Sequence, residues 1–121
     1  MMIKKILLGL AFLTPVLSLA ADNQNVMSYP YVHIQNTTDY GVDGTVHYAS
    51  FMCSNDSFHI KAHSSWTASS RGVCLVTKIN AENTNTDKSG TAYESSGTSY
   101  SQFVVYDNNG VPSVTRKTDL E

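Results

Sequence analysis

Beyond its first twenty residues the chain keeps no helical period anywhere, and this limits its fold more than any other feature. Short runs rich in Val, Thr, Ser and Tyr recur every ten or so residues, separated by turn residues. Residues 29–36 read as a first strand, with Val32 and Ile34 alternating against Tyr31, His33 and Gln35. Residues 36–41 form a turn by composition, and 42–51 a second strand. Val42, Val46 and Tyr48 share one face of that strand; Asp43, Thr45 and His47 share the other. Gly44 inside it implies a bulge or a close backbone neighbour. The short separation of these two strands predicts a hairpin.

Residues 58–62 read as a third strand and 63–70 as a polar loop carrying Trp66. Residues 72–81 give the strongest strand, with Val73, Leu75 and Ile79 on one face and Cys74, Val76 and Lys78 on the other. An exposed loop over 82–90 and weak pairing over 91–95 follow. A strand over 99–107 then contains the apolar run Phe103-Val104-Val105-Tyr106. The turn Asp107-Asn108-Asn109-Gly110 leads into a last strand over 111–116, at a sheet edge because Pro112 has no N–H to donate. The sum is an all-β chain: a single small antiparallel β-sandwich of about six or seven strands with one disulfide, spanning residues 29–118. A closed barrel is the alternative.

The opening residues set the compartment. Lys4 and Lys5 precede an apolar run over 6–16, and Ser18-Leu19-Ala20 supplies small residues for a peptidase. Residues 1–20 are therefore read as a bacterial-type signal peptide, cleaved after Ala20 or Ala21. Residues 21–28 form a polar, disordered N-terminal segment. The apolar run is too short for a membrane span, and the mature chain has no transmembrane segment by sequence. The expected location is secreted or periplasmic.

In an exported chain, Cys53 and Cys74 are most simply a disulfide. They enclose 20 residues, and closing such a loop is worth about 3 kcal/mol. The enclosed stretch holds the only Trp and ends against the most apolar segment of the mature chain.

Charge excludes some partners. Of eight basic residues, Lys4 and Lys5 leave with the signal, so six face ten acidic residues, a net charge of −4. A scattered acidic surface with no basic run argues against nucleic acid. His33, His47, His59 and His63 have no metal-ligand spacing. No Gly-x-Ser-x-Gly elbow is present, and both cysteines are claimed by the bridge. Neither an enzyme, a metal nor a cofactor is expected. Asn36-Thr37-Thr38 and Asn55-Asp56-Ser57 match a glycosylation pattern but are read as turn asparagines.

Binding is the open class. Trp66, Tyr93 and Tyr100, with the hydroxyl run Ser95-Ser96-Gly97-Thr98-Ser99, make a candidate surface for sugars or lipid headgroups. The competing reading folds Trp66 back over the disulfide onto the core edge. Arg71 joins the candidates on two opposed readings: it fixes the Trp66 loop by binding carbonyls or a carboxylate, or it meets a polar or anionic headgroup.

The ordered motifs Ile34-x-Asn36-Thr37, Gly44-Thr45-Val46-x-Tyr48, Trp66-Thr67-Ala68-x-Ser70-Arg71-Gly72-x-Cys74-Leu75 and Ser95-Ser96-Gly97-Thr98-Ser99-Tyr100-Ser101 span nearly all the mature chain. They resemble a family of small secreted domains named in nematodes for up-regulation when insulin-receptor signalling is lost, which has bacterial members. More loosely, the chain is similar to aegerolysin and actinoporin-like sandwiches, which bind membrane lipids. It lacks the long amphipathic N-terminal segment of actinoporin pores. The expectation is a secreted, non-catalytic interaction module for cell-surface glycan or membrane lipid. The alternative is a small exported protein-binding inhibitor or stress-related protein.

Overall fold

The computed structural model describes residues 28–119; the expected signal peptide over 1–20 and all but the last residue of the segment 21–28 lie outside the described residues. Eight strands follow one another: β1 (His33–Asn36), β2 (Val42–Tyr48), β3 (Asp56–Ile60), β4 (Ser65–Thr67), β5 (Val76–Asn83), β6 (Tyr93–Thr98), β7 (Gln102–Asn108) and β8 (Val111–Arg116). One turn of 3-10 helix, Lys117–Asp119, closes the described chain. The strands divide into two four-stranded sheets, ordered β4-β1-β7-β8 and β3-β2-β5-β6. All pairings are antiparallel except β1 with β7.

The all-β sandwich is as expected, with eight strands rather than six or seven. The extra strands come from two segments read as loop or weak pairing. Residues 65–67 pair with β1, and Tyr93–Thr98 pairs with β5. Pro112 does lie on an edge strand, since β8 has a neighbour on one side only.

The expected hairpin of the first two strands does not form. β1 and β2 belong to different sheets, and Asn36 marks the crossing. Its side chain is fully buried. Its Nδ2 donates to the carbonyls of Tyr40, Ile60 and Lys61 at 2.8–3.1 Å, and its Oδ1 accepts from the Thr38 amide and hydroxyl. Every hydrogen-bonding atom of the amide is thereby matched across the gap between the sheets.

Between the sheets lies the core, which includes Val32, Ile34, Val42, Val46, Tyr48, Phe58, Ile60, Val76, Ile79, Phe103, Val105 and Val114. The face read for the second strand is the buried one. On β5 the alternation breaks. A register shift between Val76 and Lys78 turns Val76, Ile79 and Ala81 inward together. Val73 and Leu75 lie before the strand begins, so neither joins the inner face.

Gly44 is required by contact. A Cβ there would stand 2.0 Å from the Asn80 carbonyl oxygen and 2.3 Å from Phe58 Cζ. The Phe58 ring therefore packs directly against the β2 backbone at Gly44. We expect Gly44→Ala to destabilise the domain by about 2–4 kcal/mol, since a backbone oxygen cannot move aside. Thermal melting of the variant measures this, and an unchanged midpoint would contradict the packing.

Candidate functional site

The four candidate binding residues do not form one surface. Trp66 sits in β4, opposite Ile34, and its half-buried ring lies 5.4 Å from Phe58. It closes the flank where edge strands β3 and β4 meet. Tyr93 opens β6, with its ring 4.9 Å from Phe103. Tyr100 meets Phe103 edge-on at 5.5 Å, under the Arg116 guanidinium at 5.7 Å. These rings close the flank of β6 and β8, on the other side of the sandwich. The rings expected to stack on a sugar are packed against phenylalanines at the two core edges.

Arg71 is only 5 % exposed. Its Nε donates to the Cys74 carbonyl at 2.9 Å, Nη1 to Pro30 at 2.9 Å and Ser99 at 3.1 Å, and Nη2 to Thr98 at 2.8 Å. The Tyr29 ring lies 5.3 Å from the guanidinium carbon. No carboxylate pairs with it among the described residues, so four carbonyl dipoles hold the charge. Burial pushes its pKa down from the ordinary value, but an arginine remains charged across the physiological range. The geometry is that of the fixing role weighed for Arg71. Gly72, at φ +60°, lets the chain turn so that the Cys74 amide returns to the Arg71 carbonyl.

Cys53 and Cys74 are bridged. The bridge joins the loop after β2 to the loop before β5, and the Ala49 amide bonds the Leu75 carbonyl alongside. Within the first loop the Cys53 amide bonds the Ser50 carbonyl at 3.1 Å, closing a four-residue turn. Ser50 adopts φ 83°, and its Oγ accepts from the Met52 amide. The two central positions of the turn are Phe51 and Met52. Such positions favour Pro, Asn, Asp and Gly; here they carry two large apolar side chains.

These side chains point into solvent. Phe51 is 98 % exposed, Met52 80 %, Val73 58 % and Tyr31 54 %. They are the exposed large hydrophobic residues of the described chain, and strand directions place all four at one end of the sandwich. That end collects the start of β1, the end of β2 and the start of β5; the Tyr29 amide bonds the Gly72 carbonyl there. A groove of about 440 Å³ runs beside the turn, lined by Ala49, Met52, Val73, Leu75 and the disulfide. The loop 49–55 and residues 72–75 contain no charged side chain.

Sequence reading missed Phe51 and Met52 because it extended the second strand through 51. The overlooked signal was Ser50 before them and Cys53-Ser54-Asn55 after them, a polar frame typical of a turn. Val73 is read as part of the strand over 72–81, whereas the ladder begins only at Val76 and Val73 lies in the turn before it.

The opposite end is polar. His59 Nδ1 lies 2.6 Å from Asp43 Oδ1, and His63 Nε2 lies 2.6 Å from Asp39 Oδ1, both pairs exposed. Among the described residues no three His, Cys, Asp or Glu side chains converge as metal ligands. No helix of the described residues is long and apolar enough to cross a membrane.

Beneath the apolar end, the Tyr48 hydroxyl donates to Asp56 Oδ2 at 2.6 Å. Burial, and secondarily this carboxylate, push the Tyr48 phenol well above its ordinary value. The fold thus favours neutral tyrosine. That contribution is complete below about pH 10, where an unfolded tyrosine titrates, and is lost as pH rises further. We expect alkaline destabilisation above about pH 10, with a shallower slope in Tyr48→Phe, measured by denaturant melts across pH. Separately, Arg71→Lys keeps the charge but leaves carbonyls without donors, and should cost about 1–3 kcal/mol. An unchanged urea midpoint would remove the fixing role.

No protein-family model matches the chain, and neither a curated protein nor a solved structure matches it.

Proposed function

We propose that this chain is an exported, non-catalytic interaction module that meets membrane lipid through the apolar end formed by Tyr31, Phe51, Met52 and Val73. One observation carries the reading: the exposed large apolar side chains collect at one end, two of them at the apex of a disulfide-held turn. A convex apolar apex suits insertion among acyl chains, which need no matching shape.

The size of the apex suggests the strength. Fully burying a Phe, Met or Val side chain is worth about 1.5–3 kcal/mol, so Phe51, Met52 and Val73 together supply roughly 4.5–9 kcal/mol before losses. That is the range of a single lipid anchor, and it implies reversible peripheral binding. The loops at the apex are uncharged and the mature chain carries net negative charge, so uncharged or zwitterionic headgroups suit it better than anionic ones. The glycan reading is disfavoured because Trp66, Tyr93 and Tyr100 are packed at core edges. The resemblance to aegerolysin and actinoporin-like sandwiches points toward lipid at the level of fold alone. The disulfide is compatible with the exported location on which this rests.

The second reading, a protein partner, takes its support from the groove beside the turn, which offers a seat for an apolar side chain. Co-sedimentation with phosphatidylcholine vesicles tests the first. We expect binding that changes little between low and high salt. Phe51→Ser should weaken it about tenfold or more while leaving the melting temperature unchanged, since Phe51 packs on nothing. Absence of vesicle binding would sink the lipid reading and leave the protein partner.

A further inference from the structure

We propose that Met52 is an oxidation site, and that conversion of its thioether to the sulfoxide weakens membrane engagement while leaving the fold intact. This rests on the lipid reading above and names a chemical control of the same apex.

Three observations carry it. First, Met52 is 80 % exposed at the apex of the turn, so small oxidants reach its sulfur. Second, no thiol competes among the described residues, because both cysteines are in the bridge. Met52 is also the single methionine among them, which makes its thioether the readiest two-electron reductant there. Third, Met52 stands between two unlike surroundings. On one side is the apolar groove with Val73 and Leu75; on the other is a polar recess of about 230 Å³ lined by Tyr48, Ser54, Asp56, Ser70 and Arg71. An apolar thioether can join Phe51 in an acyl environment. A sulfoxide, with a strongly polar S=O bond, favours the recess or water.

The chemistry needs one co-reactant, a peroxide. Hydrogen peroxide transfers one oxygen atom to Sδ; the O–O bond breaks and the S=O bond forms. The sulfur is oxidised, the peroxide is reduced, and its other oxygen leaves as water. The turn does not depend on this side chain. It is held by the Ser50 carbonyl, the Ser50 hydroxyl and the bridge, all of which the reaction leaves untouched.

The test treats the purified protein with hydrogen peroxide and measures its binding to phosphatidylcholine vesicles before and after. Peptide mass analysis locates the added oxygen. We expect one oxygen on the peptide containing Met52, an unchanged melting temperature and about a tenfold loss of vesicle binding. Met52→Leu should bind like the unmodified protein and ignore peroxide. Met52→Gln, polar from the start, should bind weakly throughout. Unchanged binding by protein oxidised at Met52, or an equal loss in Met52→Leu, would overturn the inference and leave the lipid reading standing. Failure of untreated protein to bind vesicles would remove the lipid reading itself, and this inference with it.

Discussion

A buried guanidinium without a carboxylate is the constraint on which the apolar end of this sandwich depends. Arg71 collects carbonyls from the chain before β1, from its own turn, from the last residue of β6 and from the connection that follows it. Except for Thr98, which ends β6, these are irregular backbone at one end of the sheets. A buried carbonyl without a donor costs about 1–3 kcal/mol, so one planar fork replaces several separate solutions. Lysine offers a point charge and cannot reach the same set. Once Arg71 is fixed, Gly72 and Cys74 are fixed, and the bridge then fixes Cys53 and the turn that lifts Phe51 and Met52.

Asn36 performs the same task at the other end with a neutral amide. The two pins divide the molecule unequally. At the Asn36 end, loops carry Asp39 and His63, and the surface is polar and paired. At the Arg71 end, the guanidinium is turned inward, and the loops 49–55 and 72–75 present apolar side chains and no charge. A sandwich needs its ends closed, but nothing in that need asks for a phenylalanine 98 % exposed. Folding alone does not require the asymmetry, and the proposed contact with an apolar phase would account for it.

Fold class was legible because period-two alternation survives wherever a strand runs straight between two sheets. Val42, Val46 and Tyr48 are buried as their spacing indicates. The disulfide was legible from the expected export and an even count. What failed had a local cause each time. The crossing at Asn36 looks like a hairpin turn because composition does not encode which sheet the next strand joins. The register shift at Val76 and Lys78 moves the inner face by one residue, which alternation cannot foresee. Trp66 looks like a loop aromatic because a three-residue strand leaves no periodic trace. The packing of the candidate aromatics was not legible because Phe58 and Phe103, which meet their rings, lie far off in sequence.

The apex escaped notice for the opposite reason. Large apolar residues next to a strand are read as core by default, and usually rightly. Only the hydrogen bond that closes residues 50–53 shows the strand has already ended. Exposed apolar side chains on a small domain invite aggregation, and scattering them would reduce the hazard. Here they are gathered at one end, raised on a turn and stiffened by a covalent bridge. Stiffening lowers the ordering entropy lost when the apex enters a partner phase, so more of the burial energy remains for binding. A disulfide that stabilises the unbound fold by about 3 kcal/mol also prepares the surface, and the two effects cannot be separated by removing the bridge. They separate at Phe51 and Met52, which the bridge positions and the core does not use.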